Sequence, residues 1–194
     1  DSLDLLWLVG EEEEFHKARD WVARELDVRK DVGVNMFETT IRVLGGLLSA
    51  YYVSDDPAFL AKAAEIGQAL SPGFDSRSGV PYSDVNLKTG RAFNPGGSSS
   101  LSEATSVQLE FKYLSKVTGN QEFHSKADRT MAKIREARLQ SRDQHAKSGL
   151  LGMYVSPDSG ALQQNQHITL GARGDSYYEY LLKQWLLTGR SESR

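Results

Sequence analysis

Ser54-Asp55-Asp56-Pro57-Ala58-Phe59-Leu60-Ala61-Lys62-Ala63 is echoed further along the chain by Thr118-Gly119-Asn120-Gln121-Glu122-Phe123-His124-Ser125-Lys126-Ala127. Each stretch sets a polar turn three to five residues before a Phe, then Lys-Ala three and four residues beyond it. Each also follows a more apolar helical segment, so the recurring unit is a pair of helices. One pair alone leaves apolar surface open, and successive pairs stacked side by side cover it. The pattern predicts an all-α fold, an α/α toroid or solenoid.

Working outward, helical periodicity dominates. Phe15, Ala18, Trp21, Val22 and Leu26 give one apolar face to a helix from about Glu13 to Asp27. From Met36 to about Val53 the chain is apolar nearly all round (Phe37, Ile41, Val43, Leu44, Leu47, Leu48), which predicts a buried helix. Ser54-Asp55-Asp56-Pro57 supplies an N-cap and an N1 proline for a helix to about Leu70. A long Gly-, Ser- and Pro-rich loop is expected over 71–100, then helices at about Ser102–Val117 and Glu122–Arg138. Leu151–Val155 and Ala161–Gln164, either side of Ser156-Pro157-Asp158-Ser159-Gly160, read as one short β-hairpin. A last helix is expected from about Arg173 to Leu187.

The 194 residues are 39% hydrophobic and 25% charged, as in ordinary globular proteins. Lys plus Arg is 23 against 26 Asp plus Glu, a formal charge of −3 that gives no reason to expect nucleic acid or an anionic membrane as partner. With no Cys there is neither a disulfide framework nor thiolate chemistry in this chain. No signal peptide is visible, and no run approaches the roughly 18 apolar residues of a membrane span. The chain opens at Asp1 without a Met, already in an apolar run, and closes on a polar tail after Leu187. The expectation is a fragment whose targeting segment and membrane anchor lie elsewhere.

Nucleophile and metal signatures are weak: there is no Gly-x-Ser-x-Gly, no HExxH, no P-loop and no close His pair. His16 and His124 fall on exposed helix faces, and Glu11–Glu14 suits the positive end of a helix dipole. Arg173-Gly174-Asp175 spells an integrin-type tripeptide, but it opens an apolar helix and reads as accidental. Carboxylates in apolar company carry more. Glu38 sits between Phe37 and Ile41, with Arg42 one turn on; a structural ion pair is the plain reading of that pair. Glu103 begins a helix, and Asp175 and Glu179 stand one turn apart amid Tyr177, Tyr178, Tyr180 and Trp185. Acids on inner helices with aromatics and an Arg describe a carbohydrate site, and two such acids can hydrolyse a glycosidic bond.

Through these residues the chain resembles the class I α-1,2-mannosidases, glycoside hydrolase family 47. The matching stretches are Asp1-Ser2-Leu3-Asp4, Phe37-Glu38-Thr39-Thr40-Ile41-Arg42, Leu44-Gly45-Gly46-Leu47-Leu48-Ser49-Ala50 and Pro81-Tyr82-Ser83-Asp84-Val85-Asn86. They continue with Glu103-Ala104-Thr105-Ser106, Gln108-Leu109-Glu110-Phe111 and Thr169-Leu170-Gly171-Ala172-Arg173-Gly174-Asp175-Ser176-Tyr177-Tyr178-Glu179-Tyr180-Leu181-Leu182-Lys183, in order over essentially the whole chain.

The resemblance implies the N-terminal part of an (α/α)7 barrel, with 1–194 making up less than half of the family's catalytic domain. It implies trimming of α-1,2-linked mannose from high-mannose N-glycans in the endoplasmic reticulum or Golgi lumen, with inversion and a bound Ca²⁺. By motif, Glu38 is the expected general acid and Asp175 a catalytic carboxylate. Asp1, Arg42, Glu103 and Glu179 match residues lining the sugar pocket. Arg173 marks the endoplasmic-reticulum type, as do the Pro81–Asn86 and Glu103–Ser106 stretches. Leu5 departs from the family's usual Thr. The third catalytic Glu, the Ca²⁺-ligating Thr and the plugging β-hairpin are expected beyond Arg194, so no metal ligand is assigned here and the 194 residues alone are expected to be inactive. Inversion asks for carboxyls roughly 6.5–9.5 Å apart, with room for a water. Two rival readings are a mannosidase-like glycan-binding protein in degradation of misfolded glycoproteins, and a helical scaffold whose acids form structural ion pairs.

Overall fold

A computed structural model describes residues 2–163 and 166–189. Asp1, Gln164 at the end of the expected hairpin and the closing 190–194 tail therefore lie outside the described residues. In chain order the helices are α1 (Leu3–Leu8), α2 (Glu12–Arg24), α3 (Met36–Thr39), α4 (Gly45–Ser54) and α5 (Pro57–Leu70). They continue with α6 (Leu101–Thr105), α7 (Gln108–Thr118), α8 (Gln121–Gln140), α9 (Gln144–Lys147) and α10 (Asp175–Leu187). A π-helical turn, Thr40–Leu44, joins α3 to α4.

Two rows of helices result. In one, α1 packs on α4, α4 on α7 and α7 on α10; in the other, α2 lies on α1 and α5, α5 on α4 and α7, and α8 on α7. The sequence echo marks the joints between rows. Ser54 and Thr118 each turn their hydroxyl back to the carbonyl four residues earlier, at 2.6 Å in both cases. Asp55 (φ 53°) and Gly119 (φ 75°) then take the left-handed conformation that ends α4 and α7. Asp56 and Asn120 follow as N-caps, accepting from Ala58 N at 2.9 Å and Glu122 N at 3.0 Å. Phe59 and Phe123, then Ala63 and Ala127, are buried between the rows. Thr188, again bonded to the carbonyl four back, and Gly189 (φ 65°) repeat the joint after α10.

Asp56 does more than its counterpart, because Arg19 of α2 donates to it at 2.7 Å and holds its carboxyl below the usual range. Asn120→Ala is expected to cost about 1 kcal/mol in urea unfolding, and Asp56→Ala about 1–2 kcal/mol. Equal costs would mean that the Arg19 contact adds nothing.

Several expectations need correction. The apolar segment from Met36 is not buried all round: Val43 is 38% and Tyr52 73% exposed. The expected helix at Ser102–Val117 breaks at Ser106-Val107 into α6 and α7. The 71–100 stretch is more than a loop. After a 3₁₀ turn at Ser71–Phe74 it forms β2 (Asp84–Asn86) and β3 (Ala92–Phe93), which with β1 (Gly33–Asn35) make an antiparallel sheet in the order β1-β2-β3. It also supplies β4 (Ser99–Ser100), paired with β5 (Tyr154–Val155). The expected hairpin survives as the turn, with Val155 bridging Leu162 and Ser156 N bonded to Ala161 O at 3.0 Å. Short strands of two or three residues leave too little alternation to be read as strands.

Candidate active site

The acids are placed by caps and by a chain of polar contacts. Asn35 is the N-cap of α3, and its Oδ1 accepts from the Glu38 backbone N–H at 2.8 Å. From the same side chain Nδ2 donates to Glu103 Oε1 at 3.4 Å. Glu103 in turn follows the N-cap Ser100, whose Oγ donates to Glu103 Oε2 at 2.9 Å and accepts from Glu103 N at 3.2 Å. One residue earlier, Ser102 donates its hydroxyl to Asp175 Oδ1 at 3.0 Å and its N–H to the Arg173 carbonyl at 3.0 Å. Glu38, Glu103 and Asp175, from three helices far apart in sequence, are thus tied through Asn35 and Ser102.

Arg173 is not helical, contrary to expectation: its φ of 73° puts it in the left-handed region, which costs a non-glycine residue energy. Two hydrogen bonds close the turn, Gly174 N and Asp175 N both donating to Gly171 O. At Gly174 a Cβ would stand 2.5 Å from the Thr169 carbonyl oxygen, so only glycine fits. The turn aims the Arg173 guanidinium at Tyr154, 5.6 Å from its ring centroid. Asp175 then opens α10, a position favourable for a carboxylate.

A cleft of about 460 Å³ opens beside these groups, lined by Asn35, Ser83, Asp84, Pro95, Gly96, Ser98, Ser100, Glu103, Tyr154, Gln163 and Arg173. Of the expected site residues, Glu103 and Arg173 line it. Glu38 and Asp175 are joined to it through Asn35 and Ser102. Arg42 donates to Glu38 Oε2 at 2.6 Å, the ion pair read from the sequence, and that pair is about half exposed. Glu179, one turn along α10 from Asp175, pairs with Lys183 at 2.5 Å and does not line the cleft. Asp1 lies outside the described residues. Asn35, Tyr154 and Gln163 were missed as site residues. The Asn-x-x-Glu spacing of Asn35 and Glu38 carried a cap signal, whereas Tyr154 and Gln163 reach the cleft only through the pairing around β5.

Carboxylates, amides, hydroxyls and a guanidinium around one aromatic face suit a sugar, whose hydroxyls need fixed polar partners and whose ring needs an apolar surface. Among the described residues no group of three or more His, Cys, Asp or Glu could hold a metal ion. No described helix is long and apolar enough to cross a membrane.

This largely helical fold carries a polar cleft lined by two acids, Asp84 and Glu103. The glycosyl hydrolase family 47 model matches residues 1–194, and the chain belongs to that family. It is 46% identical to the endoplasmic reticulum mannosyl-oligosaccharide 1,2-alpha-mannosidase of Rattus norvegicus over 100% of this chain and 29% of that protein. It is 48% identical to the mannosyl-oligosaccharide 1,2-alpha-mannosidase of Candida albicans over 99% of this chain and 33% of that protein. Among solved structures, the alpha-1,2-mannosidase from Trichoderma reesei superposes with a TM-score of 0.85 at 28% identity, covering 96% of this chain and 41% of the other. The helix pairs are consecutive units of the (α/α)7 fold. The chain spans about a third of the length of the curated relatives it matches.

Proposed function

We propose that the whole protein hydrolyses terminal α-1,2-linked mannose from high-mannose N-glycans, with inversion of configuration. The observation that carries this is the linkage of Glu38, Glu103 and Asp175 around a polar cleft that presents Arg173 over Tyr154. Glu38 serves as the proton donor to the departing oxygen, and Asp175 as a second carboxylate of the reacting centre. Glu103 and Arg173, which line the cleft, bind the sugar there, and Arg42, Glu179 and Asp1 are assigned to sugar binding by the resemblance alone. The names of the similar mannosidases support this substrate, and that of the Rattus norvegicus relative supports the endoplasmic reticulum as its compartment. Ca²⁺ is expected from the resemblance, and no step assigned to Glu38 or Asp175 runs through it.

The deciding experiment is incubation of the whole protein with a high-mannose N-glycan, with NMR of the released sugar. The expected product is β-mannose, the inverted anomer. Retention of the α-anomer would overturn the inverting mechanism. Glycan binding that needs Arg42 but releases no mannose would favour the glycan-binding reading.

A further inference from the structure

Glu110 takes no part in the chemistry above, and it is a deeply buried acid among the described residues. It lies in the first turn of α7, with Oε1 accepting from the Tyr180 hydroxyl at 2.9 Å. Its Oε2 is shut off from water and has no hydrogen-bond partner. Tyr180, on α10, is only 8% exposed. Gly45, the first residue of α4, leaves room beside it: an added Cβ there would stand 3.6 Å from the Glu110 Cγ. A buried carboxyl with one oxygen unsatisfied is costly to keep in a core.

Its neighbours suggest what the cost supports. Tyr180 lies five residues after Asp175 on the same helix, roughly 7.5 Å along its axis. Gly45 follows directly on the π turn that continues from the helix bearing Glu38. Glu110 itself follows α6, the helix bearing Glu103. Its one hydrogen bond therefore joins α7, which follows the helix bearing Glu103, to α10, which bears Asp175.

We infer that Glu110 is a positioning residue: through Tyr180 it clamps α10 to α7, and so sets where Asp175 stands relative to Glu103. As a role in catalysis this rests on the proposed mannosidase activity; as a clamp it does not.

Three variants of the whole protein test it: Glu110→Leu, Glu110→Gln and Tyr180→Phe. Glu110→Leu is expected to lower kcat per folded molecule roughly ten- to a hundredfold with KM little changed, since small misplacements of reacting groups are costly. Glu110→Gln, which keeps an oxygen acceptor for Tyr180, should restore kcat to within about twofold. Tyr180→Phe should fall between them, and it stands in for Glu110→Leu if that variant fails to fold. Hydrogen exchange reads the clamp without reference to activity. In Glu110→Leu, or Tyr180→Phe in its place, amides of Asp175–Leu187 should exchange about tenfold faster while those of Pro57–Leu70 do not change. Unchanged kcat per folded molecule would remove the catalytic role. Unchanged exchange would remove the clamp, as would a Gln variant as impaired as the Leu one. If the parent protein releases no mannose, the functional reading fails and the exchange data alone judge the clamp.

Discussion

Glu38→Gln is expected to lower mannose release by the whole protein by two to four orders of magnitude, with the fold intact. In the proposed reaction Glu38 hands a proton to the departing glycosidic oxygen, and positioned acid catalysis of this kind contributes about 10²–10⁴ in rate. Gln has nearly the same shape and no proton to give. Structural cost should be small for two reasons. The cap that starts α3 is Asn35 accepting from the backbone N–H of residue 38, which Gln retains. The ion pair lost is the one with Arg42, whose side chains are 57% and 49% exposed. Exposed pairs of this sort contribute about 0–1 kcal/mol. A melting temperature within a few degrees of the parent, together with the activity loss, separates chemistry from folding. A variant retaining more than a tenth of parental kcat would take the acid role from Glu38 and return it to the structural ion pair.

How far the site was legible depends on whether its signals were local. The joints at Ser54–Asp56 and Thr118–Asn120 are local: hydroxyl, left-handed residue and cap follow within three positions, and the chain repeats them. They gave the helix pairs and hence the α/α layout. The Glu38–Arg42 pair is local too, one turn along a helix. The cleft is not. Tyr154 meets Arg173 only because β5 pairs with β4 and the turn before α10 is left-handed, and neither leaves a periodic trace in two-residue strands. Glu110 was equally hidden. Its neighbours in sequence, Leu109 and Phe111, mark it as an ordinary position on an amphipathic helix, and only the approach of α10 isolates its carboxyl. The assignment of roles to Glu38 and Asp175 came through the resemblance, since an acid beside an Arg is more often structural than catalytic.

Stability should show a second large effect, dependent on pH and centred on Glu110. Near pH 8, Glu110→Gln is expected to be more stable than the parent by up to about 3 kcal/mol, and near pH 4 the two should be about equal. Burial pushes the Glu110 carboxyl from an ordinary value of 4.5 up to about 7, against smaller opposing pulls from its own backbone N–H, then the Tyr180 hydroxyl, then Lys183. Lys183 is itself held by Glu179, and Gly45 brings no charge from α4. Below pH 4.5 the carboxyl is protonated in both the folded and the unfolded chain, so nothing is lost. Between about 4.5 and 7 the folded state binds more protons than the unfolded state, and stability falls as pH rises. Above 7 both states are ionised, and the penalty of a buried charge remains in full. Gln keeps the Tyr180 contact and abolishes the titration, so its advantage should grow through that window and then level off. Because Asp56 and other carboxylates titrate with opposite sign lower down, the difference between variant and parent is the quantity to follow, by urea unfolding at several pH values. A difference that stays constant across pH would show that Glu110 does not change its charge in the folded protein.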